Sequence, residues 1–473
     1  MKKALSLLLT VLLLLQMLML SSCAAADTEP NNLFSEGLLA VRKDGKYGFI
    51  NEYGDFKIEA VYQDAGDFSE NGLAPVKIDG KWGYINKRGK TVIEAVYDRA
   101  LSFGKASLAP VAKDGKWGYV NQKGELAVAL DYSITHPFTE NGLAHVTKDG
   151  KHGYINESGE RVIELIYDVA ADFSKNGYAR VGMRKADDPE GFLYGCLDES
   201  GTLVADCLYE SALEPDEKGY LRVRQNGKWG ILKDKKALTE IEYDSLAAFG
   251  KDGLALAKKD GSYGYIDREG KVAIAFQYAD AKGFSDCGLA PVKKDDKWGY
   301  IDREGNTVIE HTYRMASEFD EKGVAYVLND KGCIYINKKG EMLSTNVFSL
   351  ASPFAENGLA VVAKNGNYGY VNRSGGLVIT YRYSEAGAFG KNGLAPIRSG
   401  DRYGFINHKG EVIIDAKYRN CTAFYDDGFV IIKINGKYGI IRDNGKYVIT
   451  ASLEFIPALI HTYGTNENFT PMM

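Results

Sequence analysis

The sequence predicts an all-β protein, built as a tandem array of twelve three-stranded units of about 35 residues each. The first observation behind this prediction is a repeat, because the pattern of residues 72–103 returns from one end of the chain to the other. The second is a recurring Asp-Gly pair between two apolar runs, which is a strong signal of a two-residue hairpin. The third is composition: 31 tyrosines and 53 glycines with only 11 prolines suit hairpins.

The repeat is clearest at one aromatic position, called the Trp slot because all four tryptophans of the chain occupy it. In chain order the slot holds Tyr47, Trp82, Trp117, His152, Tyr194, Trp229, Tyr263, Trp298, Cys333, Tyr368, Tyr403 and Tyr438. Successive positions are 34 or 35 residues apart, except for one interval of 42 that ends in the fifth unit. The sequence therefore contains one clear insertion.

The second unit shows how a single copy is expected to fold. A turn at Asp79-Gly80 pairs Lys77 with Trp82, and side chains then alternate between the two faces of the hairpin. One face is rich in aromatic and large residues, and the other carries small and aliphatic ones. We expect the aromatic face of each unit to cover the aliphatic face of the next. We also expect the glycine after the Trp slot, Gly83, to make room for a neighbouring Trp ring; eleven copies keep this glycine and Ile334 is the exception.

The rest of the unit completes a three-stranded meander. Asn86 and Gly89 predict a tight turn, in which the Asn side chain bonds nearby backbone and Gly adopts a left-handed conformation. A third β-rich run follows, and then a Tyr slot and a Phe slot, exemplified by Tyr97 and Phe103. These two rings are predicted to be buried anchors between units.

The number and length of the units favour an open, curved solenoid. Propeller blades of four strands usually need about forty or more residues and close at about four to eight copies. One or two propeller-like rings are the alternative. Residues 33–450 are assigned to the array and residues 451–473 to a C-terminal cap and tail, because Ala451 to Ile460 departs from the pattern and an open end needs a cover.

The N-terminus predicts export and lipid attachment. Lys2 and Lys3 precede an apolar run that ends at Leu20, and Leu20-Ser21-Ser22-Cys23 resembles the lipobox of bacterial lipoproteins. The resemblance implies that residues 1–22 are a signal peptide, that Cys23 is acylated, and that residues 23–32 tether an extracytoplasmic array to the bacterial membrane. A cleaved signal peptide without lipid, or an uncleaved anchor, is the alternative. Cleavage of the signal peptide would remove Lys2 and Lys3, which leaves 58 − 2 = 56 basic against 63 acidic residues. The resulting net charge of −7 does not favour binding to nucleic acid.

The recurring motifs resemble a known family. The runs Gly-Leu-Ala-x-Val, Asp-Gly-Lys-Trp-Gly-Tyr-Ile-Asn and Tyr-Asp-x-Ala-x-x-Phe are similar to the WG β-repeat, named for the Trp-Gly pair that occurs here as Trp82-Gly83, Trp117-Gly118, Trp229-Gly230 and Trp298-Gly299. The resemblance covers roughly residues 33–450. It implies a bacterial repeat of secreted or envelope-attached proteins, generally without an assigned activity.

Motifs for chemistry are weak, so no catalytic, cofactor-binding or metal-binding residue is predicted. Residues 83–91 lack the spacing of a phosphate-binding loop, and the Asn/Asp turns offer calcium only one side chain per unit. His145 and His152 project from one face of a hairpin, yet two ligands without a third make a poor metal site. Cys196 and Cys207 lie on adjacent runs and are interpreted either as a disulfide or as small buried residues.

The insertion in the fifth unit is the predicted binding loop. A segment from Gly182 to Gly191 replaces the short Asp-Gly turn, and loops raised from a rigid scaffold often carry binding residues. A neutral insertion is the alternative, because long surface loops cost little free energy. The candidate binding residues are Arg184, Lys185, Asp187, Asp188 and Glu190.

Together these features predict a non-catalytic scaffold that binds an unidentified protein or a cell-wall glycan at the cell envelope. The first alternative is a cell-wall carbohydrate-binding protein that uses aromatic pockets. A distant alternative is an envelope hydrolase with a site near the fifth-unit insertion. No cofactor is expected for any of the three.

Overall fold

A computed structural model describes residues 32–104, 107–186, 188 and 190–457. Regular structure in this part of the chain consists of β-strands, arranged as twelve small antiparallel sheets that we call blades 1 to 12 in chain order. No helix long and apolar enough to cross a lipid bilayer occurs among these residues. Cys23 and the predicted signal peptide, residues 1–22, lie outside the described residues.

Each blade is built on two long strands joined by a hairpin. The first strands are Leu38–Lys43, Leu73–Ile78, Leu108–Lys113, Leu143–Lys148, Tyr178–Arg184, Tyr220–Gln225, Ala255–Lys259, Ala290–Lys294, Val324–Leu328, Leu359–Lys364, Leu394–Ser399 and Phe429–Ile434. The second strands are Lys46–Asn51, Lys81–Asn86, Lys116–Asn121, Lys151–Asn156, Phe192–Asp198, Lys228–Lys233, Ser262–Ile266, Lys297–Ile301, Cys333–Asn337, Asn367–Asn372, Arg402–Asn407 and Lys437–Arg442.

A third strand and a short strand flank this hairpin. The third strands are Phe56–Tyr62, Thr91–Tyr97, Leu126–Tyr132, Arg161–Tyr167, Leu203–Tyr209, Lys236–Ala237, Val272–Tyr278, Thr307–Tyr313, Leu377–Tyr383, Val412–Tyr418 and Tyr447–Leu453. The short strands, which belong to blades 2 to 12, are Asp64–Ala65, Arg99–Ala100, Ile134–Thr135, Val169–Ala170, Ser211–Ala212, Ser245–Leu246, Asp280–Ala281, Met315–Ala316, Leu350–Phe354, Glu385–Ala386 and Asn420–Cys421.

The short strand corrects the predicted three-stranded unit. In blade 2, Asp64–Ala65 pairs with the first strand, so the sheet order is short, first, second, third. Most short strands have only two residues, too few to produce a period-two pattern that sequence inspection can detect. The predicted hairpin register is confirmed, with Lys77 opposite Trp82 and Pro75 opposite Tyr84.

Both predicted turns are also confirmed. At the hairpin turn of blade 2, Asp79 and Gly80 have φ values of 47° and 81°, as a type I′ turn requires. In the second turn the Asn86 side-chain oxygen accepts hydrogen bonds from the backbone N–H groups of Arg88 and Lys90, at 3.0 and 3.1 Å. The two turns therefore fix the lengths of the strands on either side.

The core lies between neighbouring blades, as predicted from the two unlike faces of the hairpin. In blade 2 the aromatic face, centred on Tyr84, packs on Ala109, Val111 and Val120 of blade 3. The position of Tyr84, which we call the core slot, is buried in all twelve blades. It holds Phe49, Tyr84, Tyr119, Tyr154, Cys196, Ile231, Tyr265, Tyr300, Tyr335, Tyr370, Phe405 and Ile440.

The Tyr and Phe slots complete this core. Tyr97 and Phe103 are both buried, and the Tyr84 and Phe103 rings lie with their centroids 5.1 Å apart. The Tyr84 hydroxyl donates a hydrogen bond to the Leu101 carbonyl at 2.7 Å, so its polar atom is satisfied inside the core. The predicted role of the two rings as buried anchors is confirmed.

The role predicted for Gly83 was wrong. A Cβ atom at this position would meet the backbone of its own blade's third strand, including the Ile93 carbonyl and the Ala95 N atom, the latter at 2.7 Å. A bulge in the pairing of the second and third strands brings this backbone over Gly83. A neighbouring blade does approach a glycine, but it is Gly89, where a Cβ atom would be 3.3 Å from the Ile58 side chain of blade 1.

We therefore expect Gly83→Ala to lower the free energy of unfolding by about 3 kcal/mol, because the new methyl group overlaps the crossing backbone. The matched control is Gly80→Ala, where a Cβ atom meets nothing within 4 Å and only the positive φ is strained. That control is expected to cost about 1 kcal/mol. Urea titrations of both variants measure the difference, and equal losses would contradict the bulge explanation.

The twelve blades close into one propeller-like ring, which corrects the preferred open solenoid and supports the alternative that was kept. Blade 12 packs on blade 1 through a core that includes Leu39, Val41, Phe429 and Ile440. The segment from Ala451 was expected to cap an open end, but it belongs to two blades. Its first residues lie in Tyr447–Leu453, the third strand of blade 12, and Phe455 then pairs with Arg42 of blade 1.

Blades 6 and 9 are irregular without breaking the ring. In blade 6 the third strand shrinks to Lys236–Ala237. In blade 9, which carries Ile334 in place of the glycine, residues 342–348 pair with the second strand only through isolated bridges at Met342 and Phe348. Buried clusters still join each of these blades to both neighbours.

Candidate functional site

The predicted binding loop is an extended hairpin that begins beyond the pair Met183 and Leu193 of blade 5. One further pair, Arg184 with Phe192, lengthens the hairpin, and the Arg184 guanidinium lies over the Phe192 ring at 5.1 Å. The Arg184 backbone N–H donates to the Asp168 carboxylate at 2.8 Å. The base of the loop is therefore held by the sheet and by a charged hydrogen bond.

The tip of the loop presents charge to solvent. Arg184, Asp188 and Glu190 are exposed, and Lys185 is partly exposed. The Lys185 N–H donates to the Gly191 carbonyl at 3.0 Å, which closes the tip. Asp187, the fifth candidate, lies outside the described residues. The structure thus brings four of the predicted binding residues together on one projection from the ring.

The Trp-slot side chains were expected to be buried against a neighbouring unit, and most of them are not. Ten of the twelve are partly exposed, whereas the core-slot side chains are buried. Basic side chains cover several of these rings. Examples are Lys258 over Tyr263 at 4.9 Å and Arg180 over Tyr194 at 5.0 Å. The propeller-like ring of blades therefore carries a row of partly exposed aromatic side chains. Some of these side chains already make cation–π contacts.

Cys196 and Cys207 are free thiols, so the disulfide interpretation is wrong; the alternative of small buried residues holds for Cys196, and Cys207 is partly buried. Cys196 occupies the core slot and packs towards blade 6, whereas Cys207 packs towards blade 4. Because the two side chains face opposite sides of one sheet, they cannot meet. Burial raises the pKa of Cys196 to about 12 and that of Cys207 to about 11, which keeps both thiols protonated and unreactive.

A cluster of four polar side chains, of which the sequence predicted only two, lies between blades 4 and 5. His145 and His152 meet as predicted, with Nε2 of the first 2.8 Å from Nδ1 of the second. His136 and Asp172 join them: His136 Nδ1 lies 3.0 Å from the Asp172 carboxylate, and His145 Nδ1 lies 3.5 Å from the same group. The Thr147 hydroxyl lies 3.2 Å from His152 Nδ1. We call His136, His145, His152 and Asp172 the histidine cluster.

The charges of this cluster are strongly coupled. The hydrogen bond to Asp172 raises the pKa of His136. Burial, together with the neighbouring His145 and His136, lowers the pKa of His152. Burial alone would raise the pKa of Asp172, but the adjacent His136 and His145 outweigh it and hold this pKa well below its ordinary value. The cluster thus places a carboxylate against the rings of two histidines.

The sequence contained a signal for the two missed members. Asp172 follows Pro137 by one repeat, since 172 − 137 = 35, and it therefore occupies in blade 5 the position next to that of His136 in blade 4. Inspection of one hairpin at a time finds only His145 and His152. The packing of consecutive blades supplies the rest.

The fold of the described residues defines the class of protein: a closed, all-β ring of twelve repeated blades, ten of them four-stranded and two three-stranded, with the cores between the blades. The chain belongs to the WG containing repeat family. Matches to the family cover residues 32–47, 47–82, 82–117, 117–151, 153–184, 194–229, 233–263, 263–298, 298–333, 335–368, 368–403 and 403–438. A search among curated proteins gave no match.

Solved structures show only distant likeness. A eukaryotic initiation factor is 10% identical, with a TM-score of 0.32, over 67% of this chain and 96% of that chain. The extracellular domain of a putative hybrid two component system from B. thetaiotaomicron is 10% identical, with a TM-score of 0.25, over 87% of this chain and 75% of that chain. Hsv2p of Kluyveromyces lactis is 11% identical, with a TM-score of 0.29, over 50% of this chain and 95% of that chain. No function is transferred from these likenesses.

Proposed function

We propose that the protein is a non-catalytic, extracytoplasmic binding module, anchored by lipid on Cys23 to a bacterial membrane, that holds a protein or glycan partner at the cell envelope. The observation that carries the proposal is the blade 5 hairpin. It extends beyond the common hairpin length, it carries exposed charges of both signs, and it stands on a sheet that is packed on both faces. A rigid support lowers the entropy lost when a loop binds.

The internal repeat supplies a sharp test of this loop. Replacing residues 184–192 by Asp-Gly recreates the hairpin of blade 2 and removes seven residues, the excess of the 42-residue interval over 35. We expect the immobilised full chain to retain a partner from either solubilised envelope proteins or purified wall polysaccharide. The shortened variant should bind that partner at least about tenfold more weakly, since one lost anchor is worth about 1.4 kcal/mol.

The matched control is Asp114→Asn, which gives blade 3 the Asn-Gly turn that blade 10 already uses at Asn365-Gly366. It should leave both binding and thermal unfolding unchanged. Absence of any partner at micromolar concentration, or equal binding by the shortened variant, would count against the loop as the binding site.

Lipid attachment is tested separately through Cys23→Ala in the full chain. The native protein is expected to incorporate a labelled fatty acid and to sediment with membranes, because two or three acyl chains give stable anchoring. The variant should lose the label completely. Labelling of both proteins, or of neither, would contradict the lipoprotein assignment while leaving the binding proposal open to its own test.

A carbohydrate-binding function is the second candidate, and the partly exposed Trp slots favour it. Trp82, Trp117 and Trp229 are partly exposed, so a glycan that stacks on the slots should change their fluorescence. Trp298 is nearly buried at 8% exposure and should respond less. Binding of the glycan with no change in emission would assign it to another surface, with the blade 5 loop tested first.

A further inference from the structure

We propose that the histidine cluster is a binding site for one divalent transition-metal ion of the zinc class, held by His136, His145 and Asp172 between blades 4 and 5. The three residues offer two imidazole nitrogens and a carboxylate oxygen, and one ligand atom from each lies within 4.8 Å of the others. Two histidines, one carboxylate and a free fourth position form a donor set that suits zinc.

The distances agree with a nearly formed site. In a tetrahedral site with bonds of about 2.0 to 2.1 Å, neighbouring ligand atoms are about 3.3 Å apart. The Asp172 carboxylate lies 3.0 Å from His136 Nδ1 and 3.5 Å from His145 Nδ1. Small side-chain rotations of the more exposed His136 and Asp172 would bring all three atoms around an ion, and the same exposure gives the ion access from solvent.

The environment of His145 points to a ligand more directly. Its side chain is 4% exposed, and among the described residues its Nδ1 atom has no hydrogen-bond partner although it faces the Asp172 carboxylate. Nε2 of His145 lies 2.8 Å from Nδ1 of His152, so the two rings share one hydrogen bond. When His145 donates this bond through Nε2–H, its Nδ1 carries the lone pair, and a cation bound between Nδ1 and the Asp172 carboxylate would interact with both groups.

His152 then acts as a positioning residue. A metal-bound histidine usually donates its second ring N–H to a neighbouring acceptor, which fixes the tautomer and the orientation of the ring. The His152 ring provides this acceptor, and its own Nδ1 is also within reach of the Thr147 hydroxyl. The cluster therefore contains both the ligands and the group that orients the buried one.

The repeat shows that the fold itself does not require these side chains. The equivalent positions of the neighbouring repeat hold Leu101, Pro110, Trp117 and Pro137, and that blade interface is packed with apolar residues. Three of the six histidines of the chain thus replace apolar residues at one interface. Since Asp172 belongs to the next blade, an ion here would fasten blade 4 to blade 5.

The test uses the full-length protein, purified without a histidine tag and stripped with a chelator. Titration with Co²⁺ should produce the visible absorption bands of a tetrahedral ion at one equivalent, and Zn²⁺ should displace it. Mg²⁺ and Ca²⁺ should not compete, because imidazole suits softer ions. Metal should also raise the temperature of thermal unfolding, since it binds the folded state alone.

Variants taken from the neighbouring repeats assign the site. Asp172→Ser, which uses the residue that precedes Phe103, and His136→Leu should abolish the cobalt spectrum, and His152→Trp should weaken binding about tenfold. His408→Ala, at an exposed position far from the cluster in sequence, is the matched control and should bind as the native protein does. Unchanged unfolding of the metal-free variants shows that they are folded.

Two results would overturn the proposal. The first is the absence of any cobalt spectrum or Zn²⁺ binding heat up to millimolar metal, which would identify the cluster as a proton-linked polar network. The second is metal binding that survives both Asp172→Ser and His136→Leu, which would place the ion elsewhere, for example on the thiols. His145→Pro, which copies Pro110 of the preceding blade, adds a third variant if it folds.

Discussion

Raising the pH above about 10 is expected to unfold the ring over a narrow range, between about pH 10.5 and 12. The reason is the core slot, which holds seven buried tyrosines whose pKa values burial raises well above the ordinary value. They are Tyr84, Tyr119, Tyr154, Tyr265, Tyr300, Tyr335 and Tyr370. Each donates its hydroxyl to a main-chain carbonyl, as Tyr300 does to Ser317 at 2.7 Å.

The sign follows from comparing the two states. In the unfolded chain a tyrosine loses its proton near pH 10, whereas in the ring it stays neutral to a higher pH. The stabilisation is therefore complete below pH 10 and is lost as the pH rises towards the folded-state pKa. Each tyrosine contributes about 1.4 kcal/mol per pH unit, so seven together reach about 10 kcal/mol per unit, enough to cancel the whole stability of a typical domain.

Circular dichroism and tyrosinate absorbance, followed together, measure this effect. Solvent-exposed tyrosines should ionise first, without loss of β-structure. The core tyrosines should ionise together with the loss of the β-signal. Ionisation of all tyrosines near pH 10 in a ring that stays folded would contradict the burial of the core slot.

The control is already present in the chain, because Phe49 and Phe405 occupy the same slot. Tyr84→Phe removes one hydrogen bond, at a cost of about 1 kcal/mol at neutral pH. The same substitution should reduce the pH dependence of the unfolding free energy by about 1.4 kcal/mol per unit above pH 10. A general effect of alkali on surface charges would leave that slope unchanged.

The local structure of the blade could be predicted because it is set by neighbours in sequence. The turn at Asp79-Gly80 fixes the register of its hairpin, and the register decides which side chains share a face. Tyr97 and Phe103 were predicted as buried anchors near the link between units, and both are buried. The repeat also showed where the blade 5 loop leaves the common pattern.

Features that depend on backbone path were predicted incorrectly. The glycine at 83 is explained by a bulge that crosses it from the same blade, and bulges leave no mark in a pattern of side chains. Three of the four tryptophans, the most prominent residues of the motif, are partly exposed, whereas the less conspicuous Tyr84 is in the core. Abundance of an aromatic residue in a repeat therefore does not indicate which ring is buried.

The two candidate sites also differ in whether the sequence predicts them. The loop of blade 5 is visible in sequence because it is contiguous. The histidine cluster is not, because Asp172 reaches His136 only through the stacking of two blades. Ring closure depends on residues that are far apart in the chain. The Asp427 carboxylate accepts hydrogen bonds from the N–H groups of Leu33 and Phe34, and Leu33 lies 394 residues before Asp427.

A second large effect is expected from removal of the closing segment, residues 454–457, which joins blade 12 to blade 1. A chain that ends at Leu453 should lose about 3 to 5 kcal/mol of stability at the junction of blades 12 and 1, and the ring should open there. In the intact ring the Phe455 carbonyl accepts a hydrogen bond from the Arg42 N–H at 2.9 Å, and Ile456 is fully buried. Glu454 accepts a hydrogen bond from the Gly45 N–H at 3.0 Å.

The closing residues take the place of a short strand that blade 1 otherwise lacks among the described residues. In blade 2 the N–H of Gln63 donates to the Lys77 carbonyl, and in blade 1 the N–H of Glu454 donates to the Arg42 carbonyl in the same position. Every other blade receives this strand from the residues just before it in the chain. Blade 1 receives it from the end of the chain, so the ring depends on a contact that no single unit contains.

The matched control is a chain that ends at Pro457, which keeps the closing residues and removes only residues 458–473. Small-angle scattering should show a larger radius of gyration for the chain ending at Leu453 than for this control, and limited proteolysis should cut blades 1 and 12 first. The point variant Ile456→Ala should give a smaller loss, about 2 kcal/mol or more, because it leaves the backbone pairing intact. An open solenoid predicts no difference in size or stability between the two truncated chains, since its ends do not touch, and that result would refute the closed ring.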